Sequence, residues 1–205
     1  MDPNSIYEAL RSKIIHLELA PESVLNLSEL AEEFGVSRTP IKEVLLTLQA
    51  EEWIVRQGSH FIVTPLSLER IREITEIRMV LEVQANIWAM QRITPDELEQ
   101  LQELKKGIAE FDGVSVNQAV VDYDSRIHNT IFKAARNSQL STMLERILSH
   151  YLRFWLSAPR QIETHVFFAE AVDLIDAIAN KDEEAVRECT VRHVRNSVAE
   201  IMGTR

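Results

Sequence analysis

Asp124 and His128 lie four residues apart in "VVDYDSRIHNTIFKAA". On a helix that spacing makes them neighbours on one face. The same face carries Val120, Ile127, Ile131 and Ala135, so it reads as an inward stripe with a carboxylate set into it. A buried carboxylate is costly unless something pairs with it. Near the C-terminus, Val186, Cys189, His193, Ser197 and Ile201 form a second apolar face with His193 at its centre. One carboxylate and two imidazoles pointing inward from two helices are a ligand set for Zn²⁺, Ni²⁺ or a similar divalent ion. The same residues also fit an Asp–His pair that satisfies itself beside a separate core histidine. Arg78, Glu82 and Arg126 are further candidate partners for Asp124.

A second constellation lies in "EEFGVSRTPIKEVLLTLQAEEWIVRQGSHFIV". A helix, a short turn containing Gly and a second helix is the spacing of a DNA-reading helix-turn-helix, whose second helix enters the major groove by its N-terminal residues. Those residues are Ser37, Arg38, Thr39 and Lys42. Arg38 can fork onto a guanine edge, and Ser37 and Thr39 can meet phosphate or a thymine methyl. Lys42 lies one turn on, on the same face. Gln57, Gly58 and His60 sit near the tip of a strand-Gly-strand element that can reach the adjacent minor groove. The same unit also occurs as a packing module that binds no nucleic acid.

These residues need elements to hold them. Ile6, Leu10, Ile14 and Leu17 predict a helix over 4–17 with Asn4 as its cap, and Pro21 stops it. "SVLNL" reads as a short strand. Ser28 is expected to cap the next helix and Gly35 to end it. Ser37 is expected to cap a third, with Pro40 in its first turn and Ile41, Val44, Leu45 and Leu48 as its apolar stripe. "WIVRQGSHFIVTP" reads as two strands about a Gly turn. From Ser67 onward the pattern predicts only helices, over 67–91, 94–110, 116–136, 138–156, 161–179 and 182–202. Breaks fall at Thr94-Pro95, Gly113, Asn137, Pro159 and Asn180. The fold class is mainly α: a winged helix-turn-helix over 1–66, then an all-α bundle over 67–205 that binds an effector and dimerises.

Bulk properties narrow the class. With 45% hydrophobic residues, the 205-residue chain can bury a real core, and a single cysteine, Cys189, excludes an intrachain disulfide. The N-terminus has no basic start or apolar run of a signal peptide, and no apolar stretch approaches the ~20 residues of a membrane span. The expectation is a cytoplasmic protein with no membrane partner. The charge is the odd feature: 22 Lys and Arg against 32 Asp and Glu give −10 overall. Residues 1–66 hold five basic and ten acidic side chains, a net −5. What matters at close range is the local sign of the contact face, because fields beyond ~10 Å are screened. The acidic remainder is expected to suppress non-specific DNA binding, which is mostly electrostatic.

The stretch "LAEEFGVSRTPIKEVLLTLQAEEWI" closely resembles the GntR family of bacterial transcription regulators, in which a Gly-Val-Ser-Arg-Thr-Pro-hydrophobic-basic-Glu run opens the recognition helix. "IYEALRSKIIHLELAPESVLNLSELA" fits the family's first helix and Pro turn, departing at Leu17 and Glu22, where Gly is usual. The resemblance implies DNA contacts from Ser28, Ser37, Arg38, Thr39, Lys42, Gln57 and Gly58. Lys42 replaces the usual Arg, so a fork becomes a point charge, and Ser28 replaces a longer polar residue. Residues 72–195 resemble the FCD effector domain of the FadR branch, through "REITEIRMVLEVQANIWA", "DSRIHNTIFKAARNSQL" and "LIDAIANKDEEAVRECTVRHV". Many such domains hold a divalent metal on one Asp and three His, beside a small carboxylate effector. Asp124, His128 and His193 match three of those positions, but the fourth is Ala171. His165, six residues upstream, would point about 120° away. An incomplete three-ligand site for Zn or Ni is therefore expected, because Asp124 needs a cation and no Lys lies on its stripe. Arg78 is the expected effector anchor, or else pairs with Glu82, its i+4 neighbour, and Phe167, Phe168, Tyr151 and Trp155 suit a more apolar ligand or ordinary core.

The sequence thus predicts a regulator that binds operator DNA as a homodimer. A small-molecule effector, expected to be a carboxylate, would shift the population between two arrangements of the winged helices. The rivals are a metal-dependent hydrolase using Asp124, His128 and His193, for which no nucleophile or general base is evident, and an interaction module that binds no DNA.

Overall fold

The computed structural model describes residues 2–158 and 162–203. The chain divides into two compact units, residues 1–67 and 68–205.

In the first unit, α1 (Pro3–Ile15) buries Ile6, Leu10 and Ile14. Its cap is Asp2 rather than Asn4: the Asp2 carboxylate accepts from Asn4 N and Ser5 N, and Pro3 takes the first helical position, where its missing N–H costs nothing. The strand β1 (Val24–Leu25) leads into α2 (Leu27–Glu33). Asn26 caps that helix, and Ser28, the sequence choice, instead donates its own N–H to Asn26 Oδ1 at 2.8 Å. Gly35 follows with φ +64°, in the left-handed region. Next comes α3 (Arg38–Ala50), which buries the expected stripe Ile41, Val44, Leu45 and Leu48. Ser37 occupies the cap position without a side-chain capping bond. The strands β2 (Ile54–Gln57) and β3 (His60–Val63) turn about Gly58, at φ +61°. The sheet order is β1-β3-β2, antiparallel, with Gln57 opposite His60 at the tip. Fully buried Trp53 joins sheet and helices in one core with Leu10, Ile41 and Leu45.

Two backbone positions explain a departure noted in the sequence. Leu17 has φ +59° and Glu22 φ +66°. Left-handed backbone is what Gly supplies without strain, and a residue bearing Cβ is penalised there.

The second unit holds α4 (Leu68–Arg92), α5 (Pro95–Gly107), a 3-10 turn over Ile108–Phe111, α6 (Gln118–Ala134), α7 (Ser138–Leu156), α8 (Thr164–Ala179) and α9 (Glu183–Met202). Thr94 and Glu97 form a reciprocal capping box at the start of α5, as the Thr-Pro-Asp-Glu run foretells. Asn137 caps α7 and Asn180 closes α8. The expected break at Pro159 lies outside the described residues. One correction is small: Ser115 and Glu163 form an isolated antiparallel bridge in a region expected to be purely helical. It ties the loop before α6 to the start of α8. The core helix α4 packs against α6, α7 and α9. Among the described residues, no helix is long and apolar enough to cross a membrane.

Candidate DNA-reading face and buried pocket

Ser28, Ser37, Arg38, Thr39, Lys42, Gln57, Gly58 and His60 are all exposed. Arg38 opens α3 and Lys42 follows one turn later, so both basic groups share the solvent face opposite the buried stripe. Neither has an ion-pair partner among the described residues. The other basic groups of this unit are differently engaged. Lys13 pairs with Glu33, and Arg11 lies 3.8 Å from Glu8 and over the Trp53 ring. Glu51 accepts from Tyr7 Oη and from Trp53 Nε1, so part of the acid excess is turned inward. Arg56, on β2, lies over the Phe61 ring with its centroid at 5.8 Å and stays exposed. The unit is acidic in sum, yet α3 and the wing expose Arg38, Lys42 and Arg56.

The second site is inside the bundle. Arg78 and Glu82 are one turn apart on α4 and both 1% exposed. Arg78 Nε donates to Glu82 Oε1 at 2.5 Å, and Nη2 reaches Oε2 at 3.4 Å. The guanidinium stacks on Tyr151 of α7 at 4.1 Å from the ring centroid. Its Nη2 also approaches His193 Nε2 of α9 at 3.4 Å. From α6, His128 Nε2 lies 3.6 Å from Asp124 Oδ1, and the His128 and His193 ring centroids are 5.2 Å apart. Fold and chemistry coincide: Arg78, Asp124, His128 and His193 come together, as their inward positions suggested.

Burial sets the protonation of the cluster. It pushes the Asp124 carboxyl above its ordinary range, against the pull of His128 and Arg78. Burial, with His128 and Arg78 alongside, drives His193 well below 6.5, so its imidazole is neutral. Burial opposes the Arg78 charge most strongly, but Glu82, Tyr151 and Asp124 together outweigh it and the guanidinium stays ionised.

A cavity of about 10 Å³ lies here, lined by Arg78, Asp124 and His193 and by Leu148, Leu152, Trp155, Phe167 and Tyr151. That is room for roughly one water, so a larger ligand must displace lining side chains. Phe168, an expected liner, instead packs against Phe111 and Tyr123. Sequence reasoning missed the rest of the polar stripe. Asn86 donates to Thr190 Oγ1 at 2.9 Å, and Tyr151 Oη meets Ser197 Oγ at 2.8 Å. The signal was present, since Arg78, Glu82 and Asn86 recur at intervals of four along α4.

The expected Zn or Ni site does not fit this arrangement. Among the described residues, no group of three or more His, Cys, Asp or Glu side chains is placed to hold a metal ion. His193 Nε2 faces a guanidinium, not an open position. Ala171 is buried and has no lone pair to give, and His165 is exposed and cannot replace it. Asp124 lies 3.6 Å from His128 Nε2 and shares the pocket with Arg78, a cation contributed by α4 and invisible from the α6 stripe alone. His128 keeps ligand character, with both ring nitrogens buried and lacking hydrogen-bond partners among the described residues.

Comparison with known proteins bears on both sites. Residues 3–60 match the bacterial regulatory proteins of the gntR family, and residues 73–196 match the FCD domain. The chain is 26% identical over 188 residues to the HTH-type transcriptional regulator McbR of Escherichia coli, covering 88% of this chain and 84% of that protein. It is 26% identical over 184 residues to the gluconate operon transcriptional repressor of Bacillus subtilis, covering 84% and 74%. The fold matches the solved structure of E. coli McbR/YncC with a TM-score of 0.81 at 23% identity, over 98% of this chain and 97% of that one. A putative GntR regulator from Rhodococcus sp. RHA1 matches with a TM-score of 0.78 at 17% identity, over 99% and 98%. The hydrolase and the non-binding module find no support in these matches, since the relatives are transcriptional regulators and not enzymes. A winged helix with a basic recognition face, joined in sequence to an FCD bundle around a polar pocket, makes this chain a member of the GntR family of ligand-responsive, DNA-binding transcription regulators.

Proposed function

We propose that residues 1–66 read an operator through Arg38 and Lys42 on the recognition helix, supported by Ser28, Ser37 and Thr39 and by Gln57, Gly58 and His60 at the wing. Residues 67–205 are the effector-binding and dimerisation domain. The observation that carries this reading is the exposure of Arg38 and Lys42, without ion-pair partners among the described residues, on a unit of net charge −5. Arg38 supplies the guanine fork, and Lys42 supplies a phosphate charge.

The effector binds in the Arg78 pocket and is a small carboxylate. Arg78 Nη1 is buried without a hydrogen-bond partner among the described residues, a donor suited to a carboxylate oxygen. The gluconate operon repressors of two Bacillus species act on an operon named for a carboxylate, which agrees with that class. The regulator works as a cytoplasmic homodimer, because two half-sites call for two recognition helices at fixed spacing. Exposed Ile77 and Val80 on α4 offer apolar surface for such pairing. An effector that favours one dimer arrangement changes that spacing and so the operator affinity.

The test is a gel shift against the DNA flanking the protein's own coding region, with and without candidate carboxylates. A discrete shifted species that Arg38→Ala removes supports the reading. Equal retention of unrelated DNA overturns it.

A further inference from the structure

We propose that Arg78 is the resident cation of the pocket and that it excludes a divalent metal from Asp124, His128 and His193. The inference rests on the effector-pocket reading above and deepens it: the pocket recognises its ligand without metal.

Five points carry it. A metal on His193 needs an imidazole lone pair, and the Nε2 lone pair already meets Arg78 Nη2 at 3.4 Å. The guanidinium is not free to swing aside. It is forked onto Glu82, stacked on Tyr151 and 1% exposed, so leaving would strand a buried carboxylate. A divalent ion beside it would add a second cation in a poorly screened interior. With His193 engaged, Asp124 and His128 remain as a two-ligand set, short of the three or four that zinc sites use. Ala171 contributes a buried methyl group where a further ligand would be required. The same geometry gives the guanidinium a use. Its Nη1 and both nitrogens of His128 are buried and unpartnered among the described residues, and Arg78 lines the cavity. Guanidinium and imidazole N–H groups bind an acceptor oxygen directly, with no ion between.

The experiment titrates the full chain, stripped with a chelator and exchanged into chelator-free buffer, with Zn²⁺ and separately with Ni²⁺ by calorimetry. Wild type and Asp124→Asn should give the same isotherm, because no ion enters the pocket. Arg78→Met combined with Glu82→Gln and Ala171→His should gain one ion per chain, at least about tenfold tighter than anything wild type shows. Adding Asp124→Asn to that variant should abolish the gain. One ion per wild-type chain that Asp124→Asn abolishes overturns the proposal. So does a folded triple variant, checked by circular dichroism, that gains nothing. Should the triple variant fail to fold, the comparison of wild type with Asp124→Asn decides alone. A parallel gel shift with and without chelator separates the two readings: loss of operator binding in both conditions sinks the regulator reading and leaves the metal result intact.

Discussion

Replacing Arg78 by Met keeps much of the side-chain length and removes the charge. On the same helix, six residues earlier, Arg72 and Glu76 form a pair with the same residue types at the same spacing. The pairs differ in environment. Arg72 and Glu76 are 68% and 71% exposed and 3.9 Å apart, whereas Arg78 and Glu82 are each 1% exposed and 2.5 Å apart. The exposed pair is screened by water and stabilises by about 0.3–0.5 kcal/mol, so Arg72→Met should be nearly silent. Arg78→Met strips Glu82 of both its donors in a dry interior, and breaking such a pair costs about 3–5 kcal/mol. The Tyr151 stack is lost as well. Arg78→Met with Glu82→Leu removes both charges, and that double variant should fall within about 1 kcal/mol of wild type or above it. Urea unfolding of the four proteins, followed by far-UV circular dichroism, measures the differences. Equal, small costs for Arg72→Met and Arg78→Met would mean that Glu82 is solvated and the pocket open, which would refute the buried-cation argument.

Arg38→Ala should cost about 1–3 kcal/mol per half-site and relax base preference. Lys42→Ala should weaken all sequences evenly and flatten the salt slope; titrations at matched salt distinguish them, and wild-type affinity in Arg38→Ala would refute the docking. Leu17→Gly and Glu22→Gly should each stabilise the first unit by up to about 1 kcal/mol, since left-handed backbone strains a residue bearing Cβ; a fall in melting temperature would contradict the strain. His193 is neutral in the fold, its pKa well below 6.5, while the unfolded chain protonates near 6.5. Its contribution is therefore present above pH 6.5 and lost as the pH falls towards the depressed folded value. His193→Gln should gain stability relative to wild type between about pH 7 and 5, and a pH-independent difference in urea midpoints would exclude this linkage.

Local physics is legible in sequence because it acts over a few residues. The stripe of Ile41, Val44, Leu45 and Leu48, the Thr94 capping box and the Gly58 turn each follow from spacing and backbone freedom, and so does the inward placement of Asp124, His128 and His193. Even there, neighbouring polar residues compete: Asp2 and Asn26 took the caps assigned to Asn4 and Ser28, because either side chain can reach the free amides. What pairs with what is a different matter. The α6 sequence says that Asp124 needs a partner, but that Arg78 lines its pocket and meets His193 depends on how α4, α6 and α9 pack, across separations of 46 and 115 residues from Arg78 to Asp124 and His193. No periodicity encodes that choice. It is decided where three helices meet, by the cost of leaving a buried charge alone.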